Sequence, residues 1–271
     1  MKKIKIQKNI MENIIKDYLS GISVPKLSEK YKYSNPIIYK HLRENDIKIK
    51  TASEASSKYK INTDLFKTIN EISAYWMGFI LADGTFRKNT SSKSYQLLFC
   101  LSIKDKSHLE KFRESIQPGV SITIIEPKET DCFKNNGSCR IGITNTEICK
   151  DIWKYGITPN KSKEVILKNE IIFNKHFWRG FVDGDGYLGY TESGNNKQRL
   201  EVVGNISTLN YFLDFCKTII PDLKNQVKPH KNIYCVRLGG KTAKTILKEL
   251  YEGSSIFLDR KKEKYENIIN L

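Results

Sequence analysis

Trp76-Met77-Gly78-Phe79-Ile80-Leu81-Ala82-Asp83-Gly84 and Trp178-Arg179-Gly180-Phe181-Val182-Asp183-Gly184-Asp185-Gly186 share one pattern, an apolar helix that ends in Asp-Gly. In each, a small residue recurs four positions on: Gly78 with Ala82, and Gly180 with Gly184. Residues four apart lie on one helix face, and small residues there let another backbone come close. The spacing predicts that the two helices pack together through these faces, carrying Asp83 and Asp185 side by side to the helix ends. A carboxylate at a helix C-terminus opposes the dipole, and two of them repel. A divalent cation relieves both conditions, because Mg²⁺ binds carboxylate, phosphate and water oxygens. The pattern therefore points to phosphodiester chemistry.

Outward from the two motifs the chain repeats itself. After each Asp-Gly the alternation of apolar residues predicts a strand, then a second strand that runs into a helix: Tyr95–Ile103 into Ser107–Arg113, and Arg199–Val203 into Ser207–Leu213. Ser107, Leu109 and Phe112 recur as Ser207, Leu209 and Phe212, an offset of 100 residues beside a motif offset of 102. Two further strands are expected in each half, Ser121–Glu126 with Ser138–Ile143 and Asn225–Pro229 with Tyr234–Leu238. Helices near Thr146–Tyr155 and Thr242–Tyr251 close the halves. A period of this length is too long for a solenoid. The expected class is α+β, a duplicated αββαββα core with a pseudo-two-fold axis between the motif helices, each half carrying a four-stranded antiparallel sheet with one face free for a ligand.

The 271 residues carry a formal charge of +16, which implies a polyanionic partner. Residues 1–60 hold 14 Lys and Arg against 6 Asp and Glu, a surplus of eight, half of the net charge. That stretch predicts three helices, Asn9–Leu19, Val24–Tyr31 and Asn35–Arg43, the last two N-capped by Ser23 and Ser34, around Ile14, Ile15, Leu19, Val24, Leu27, Tyr31, Ile37, Ile38 and Leu42. The expected division is a small all-α domain over 1–48, a basic linker over 49–68, and two halves over 69–168 and 169–271. No apolar run approaches a membrane span and no signal-peptide core follows Met1-Lys2-Lys3, so an intracellular protein, cytoplasmic or organellar, is expected. The six cysteines form no C-x-x-C pair, which argues against a zinc finger and a disulfide framework.

The two motifs resemble those of a single-chain LAGLIDADG homing endonuclease, and residues 1–48 resemble the helix-turn-helix of resolvase-type and homeodomain-like modules. The first resemblance implies a monomer that makes a staggered double-strand break in a long, asymmetric DNA target, with Mg²⁺ or Mn²⁺ held by Asp83 and Asp185. It implies a catalytic basic residue late in each half; Lys161 and Lys261 share the 100-residue offset, with Lys163, Arg260 and Lys262 as alternatives. Asp105 and Asn205 match positions that hold water or metal near the centre. Recognition would fall to strand residues such as Arg87, Gln96, Lys104, Arg140, Gln198, Arg199, Lys228 and Arg237. The second resemblance places Asn35, Tyr39, Lys40 and Arg43 in a major groove. A catalytically inactive DNA-binding regulator and an RNA maturase of the same fold are the rival readings. The Asp183-Gly184-Asp185-Gly186 string is not a calcium loop, because Leu188 and Gly194 stand where an EF-hand needs Gly and Glu. Asp183 is matched by Leu81 and is expected to be a hydrogen-bonded helix residue.

Overall fold

A computed structural model describes residues 6–20, 22–47, 49, 60–91, 93–130, 133–161, 163–191 and 197–270. They form two compact units, Met1–Lys60 and Ile61–Leu271. In the first, α1 (Lys8–Leu19), α2 (Val24–Tyr31) and α3 (Asn35–Glu44) close on Ile14, Val24, Leu27, Ile38 and Leu42. Leu19, expected inside, is 65 % exposed, and Tyr18 takes its place in the core. Ser23 and Ser34 occupy the N-cap positions with extended backbone, but neither side chain makes the capping hydrogen bond. Half of the expected linker, residues 50–59, lies outside the described residues, as does residue 48 at the end of the expected first domain. Its last part belongs to the second unit: the Asn62 amide donates to the Ile116 carbonyl at 2.7 Å, and Leu65 and Phe66 are buried in the larger core.

The second unit has the same order of elements twice. The first half runs α4 (Glu71–Asp83), β1 (Gly84–Lys88), β2 (Tyr95–Ser102), α5 (Lys106–Ile116), β3 (Thr123–Ile125), a small hairpin of β4 (Lys128–Thr130) and β5 (Phe133–Asn135), β6 (Ser138–Thr144) and α6 (Thr146–Trp153). After the one-turn α7 (Asn169–Ile172), the second half runs α8 (Lys175–Asp185), β7 (Gly186–Tyr190), β8 (Gln198–Gly204), α9 (Ile206–Ile219), β9 (Lys228–His230), β10 (Ile233–Gly239), α10 (Gly240–Tyr251) and α11 (Asp259–Asn270). The two sheets have matching strand orders, β1-β2-β6-β3 and β7-β8-β10-β9, all antiparallel. This is the duplicated α+β core the sequence predicts; the β4–β5 hairpin and α11 are additions to it.

Matched residues hold the halves. Trp76 packs edge-on to Phe112 at 5.0 Å between ring centroids, and Trp178 meets Phe212 at 5.3 Å. Each indole is fully buried, worth roughly 4 kcal/mol of transfer free energy. The motif helices start at Asn caps: Asn70 and Ser73 form a reciprocal capping box, and the Asn174 side chain accepts from the His176 and Phe177 amides. They stop at Gly84 and Gly186, whose backbones are extended. The requirement for glycine there is space, since a Cβ on Gly84 would stand 2.8 Å from the Ile80 carbonyl and one on Gly186 2.4 Å from that of Val182.

Candidate catalytic centre

The small faces of α4 and α8 meet backbone to backbone. A Cβ on Gly78 would stand 1.8 Å from the Phe177 carbonyl oxygen, and one on Gly180 would stand 2.0 Å from that of Tyr75. One turn on, a Cβ on Gly184 would lie 2.4 Å from the Ala82 Cβ and 3.0 Å from the Asp83 Oδ2. The Asp83 carboxylate thus rests against the residue preceding Asp185, at the shared end of both helices. Burial pushes the Asp185 carboxyl up to about 6, the Asp83 charge adds to the rise, and Lys161 and Lys261 oppose it. Crowding by the surrounding protein also raises Asp83, although its side chain reaches solvent; Asp105 adds to the rise, while Lys161, Arg260 and Lys261 pull it down.

Lys161 and Lys261 each reach the end of the motif helix of their own half, at different carbonyls. The Lys161 amine donates to the Leu81 carbonyl at 2.6 Å and the Ala82 carbonyl at 3.0 Å. The Lys261 amine donates to the Val182 carbonyl at 3.3 Å and to that of Gly186. The Leu81 and Ala82 carbonyls stand in a last helical turn, where carbonyls lack intrahelical partners, while that of Val182 also accepts the Gly186 amide; a cation at either helix end offsets the dipole. Burial lowers both amines, Lys261 to about 8, while Asp185 and Asp83 raise Lys161. Lys261 and Arg260 stand in the first turn of α11, and Lys161 on a turn closed by its own amide to the Thr158 carbonyl.

Asp105 and Asn205 fix those basic segments, each by different chemistry. Arg260 forks onto the buried Asp105 carboxylate, Nε to Oδ1 at 2.9 Å and Nη2 to Oδ2 at 3.1 Å. Asn205 donates through Nδ2 to the Lys161 carbonyl at 2.8 Å, while its Oδ1 caps α9 by accepting from the Thr208 amide at 2.8 Å.

Below the centre lies a polar network that the sequence reading did not assemble. Asp183, fully buried, accepts from the Tyr75 and Tyr251 hydroxyls and from the Leu258 amide at 2.7 Å. Tyr75 also lies 3.0 Å from the Nε2 of buried His108, which burial lowers to about 3. Arg179, also fully buried, donates to the Ile256 and Leu250 carbonyls and to Glu71 at 2.7 Å, bracing α8 against the start of α4 and the segment after α10. The available sequence signal was a charged residue inside an apolar motif; its partners lie 68 to 108 residues away.

Arg87, Gln96 and Arg140 lie on the solvent-side register of the first sheet, opposite the face of Leu97, Phe99 and Ile141. Arg199, Lys228 and Arg237 do so on the second. Lys104 sits on the 3₁₀ turn Ile103–Asp105 and not on a strand, and Gln198 shares the register of Leu200 and Val202, which face the core. In the first unit Lys40 and Arg43 are exposed, whereas Asn35 and Tyr39 are half-buried.

The second unit has the fold of the LAGLIDADG homing endonucleases. The I-AabMI meganuclease bound to uncleaved DNA matches 74% of this chain and 91% of its own at a TM-score of 0.50 and 13% identity. The homing endonuclease I-WcaI bound to its DNA recognition sequence covers 84% and 92% at a TM-score of 0.47 and 14% identity. Full-length WhiA from Thermatoga maritima covers 77% and 64% at a TM-score of 0.43 and 14% identity. No known family matches the chain by sequence, and no curated protein resembles it.

Proposed function

We propose that this protein is a site-specific endonuclease that makes a metal-dependent staggered double-strand break in a long, asymmetric DNA target. The observation that carries the reading is the pair Asp83 and Asp185, brought to one point by backbone-close helices between two sheets with basic outer faces. Two carboxyls raised by crowding, Asp185 further by the Asp83 charge and Asp83 by Asp105, suit a cation that needs oxygen ligands. Asp83 and Asp185 would hold Mg²⁺ or Mn²⁺, which supplies charge stabilisation for an in-line displacement at phosphorus when bound.

The chain's own groups do the rest. Lys161 and Lys261 hold positive charge beside the centre, where negative charge grows on the phosphoryl oxygens. Arg87, Arg140, Arg199, Lys228 and Arg237 would position the duplex by phosphate and base contacts, with both strands presented to the one centre that Asp83 and Asp185 share. No described helix is long and apolar enough to cross a membrane. The basic N-terminal unit would extend the footprint, its α3 lying in a flanking major groove.

Incubating the full chain with a randomised duplex library in Mg²⁺, and sequencing the ends, tests this reading. Discrete staggered ends at one sequence support it. Tight, sequence-selective binding without cutting would make the protein a DNA-binding regulator instead.

A further inference from the structure

Glu201 is only 7 % exposed although it points to the solvent side of the second sheet. Two guanidiniums cover it. Arg237 forks onto the carboxylate, Nε to Oε2 at 2.9 Å and Nη2 to Oε1 at 3.3 Å, and Arg199 reaches the same Oε2 through Nη2. Burial alone would raise the Glu201 carboxyl; Arg237 and Arg199 hold it below the ordinary glutamate value. Further contacts fix the arginines: His230 Nδ1 lies 3.1 Å from Arg237 Nη2, Asn225 donates to the Arg237 carbonyl at 2.7 Å, and the Arg199 guanidinium lies 5.8 Å from the Tyr187 ring centre. Both arginine side chains stay partly open to solvent, 44% for Arg237 and 30% for Arg199.

Strand register identifies the matching places in the other sheet. Gly84 pairs Phe99 as Gly186 pairs Val202, so Gln96 stands where Arg199 does and Leu98 where Glu201 does. Leu98 pairs Gly142 as Glu201 pairs Arg237. The first sheet thus offers an amide lying across a glycine: Gln96 Nε2 donates to Thr144 Oγ1 at 3.3 Å and would stand 2.7 Å from a Cβ on Gly142.

Resting on the DNA-binding reading above, we propose that Glu201 is a specificity-determining positioning residue. It holds Arg199 and Arg237 ready to read guanine in the half-site on the second sheet, while Gln96 reads adenine at the mirrored place in the other. A guanidinium matches the O6 and N7 of guanine, and an amide the N6 and N7 of adenine. A preorganised fork loses less side-chain freedom on binding. Phosphate is the poorer ligand here, because a carboxylate at the centre of the cluster repels it. A metal is poorer still: the ligand atoms of Glu201, His230 and Cys235 lie within 4.8 Å of one another, but the Arg237 guanidinium is bound to two of the three residues.

The test is selection of bound sequences from a randomised duplex library by the full chain, with Ca²⁺ in place of Mg²⁺, for wild type, Glu201→Gln, Arg237→Lys and Gln96→Arg. Expected for wild type is guanine at one or two adjacent positions of one half-site and adenine at the mirrored place. Glu201→Gln and Arg237→Lys each cut that guanine preference about tenfold and leave the other positions unchanged. Gln96→Arg turns the mirrored adenine into guanine. Arg237 is exposed enough that its lysine variant keeps the fold if Glu201→Gln does not. A guanine preference identical to wild type in either Glu201→Gln or Arg237→Lys overturns the inference and leaves the DNA-binding reading standing; a wild type that selects no sequence at all overturns both.

Discussion

The two motif helices of one fold differ in what lies behind the carboxylate. In α4 the residue two before Asp83 is Leu81, an apolar side chain in an apolar core; in α8 the residue two before Asp185 is Asp183, fully buried and holding two tyrosines and a backbone amide. The face that joins the helices is alike in both, glycine against backbone. Geometry at the centre therefore demands small residues and terminal carboxylates from both copies. The support beneath is free to diverge. The second half has used that freedom to tie its terminal segment, Ile256 to Lys261, to its motif helix through Arg179 and Asp183, and so it positions Lys261 by a route the first half lacks.

That comparison can be broken in several ways. The symmetric part should show the largest effects. Asp83→Asn and Asp185→Asn should each lower cleavage by a factor on the order of 10³ while DNA binding in Ca²⁺ stays close to wild type; retained cutting by either variant removes that carboxylate from the centre. Gly78→Ala and Gly180→Ala should each cost about 3 kcal/mol of stability, because the new methyl meets backbone that cannot turn aside. Denaturant melts would read this, and a cost in only one of them would mean the helices do not pack as equals.

The asymmetric part comes next. Asp183→Ala strands three buried donors and should cost roughly 3 kcal/mol, whereas Leu81→Val, at the matched place, should cost about 1 kcal/mol. Equal costs would mean the network is decoration. The acid limb of the cleavage rate should fall near pH 6, where Asp185 takes up a proton, and should move to lower pH as Mg²⁺ is increased. Because the folded-state carboxyl is raised above its ordinary value, the group favours the metal-free fold at low pH and costs stability as pH rises through about 6. Asp185→Asn should then melt above wild type at pH 7 and level with it near pH 4. Deleting residues 1–60 should have the smallest effect on chemistry, weakening site binding by about tenfold at fixed salt and leaving the cut position unchanged.

The parts of the fold and of the centre that could be read in the sequence were those written as repeats. Asp83, Asp185 and the small faces stood in two copies, and Phe112 with Phe212 marked the halves. Relations between distant, unrepeated residues could not be read: Asp105 meets Arg260 across 155 positions, and Asp183 meets Tyr75 across 108. Two signals were present and unused. Lys261, Tyr265 and Ile268 are buried at helical spacing in α11, and Arg199 and Glu201 share a strand face by the period of two. Leu19 failed for a different reason: it falls at the very end of α1, where Tyr18 already fills the core.

The claim most open to direct attack is that Asp83 and Asp185 serve one shared centre. Single-turnover cleavage of a selected duplex, with each strand labelled separately and Mg²⁺ titrated, measures it. The expected result is that wild type cuts both strands while Asp83→Asn and Asp185→Asn cut neither. A variant that still nicks one strand at the wild-type rate would show two independent sites and contradict the account.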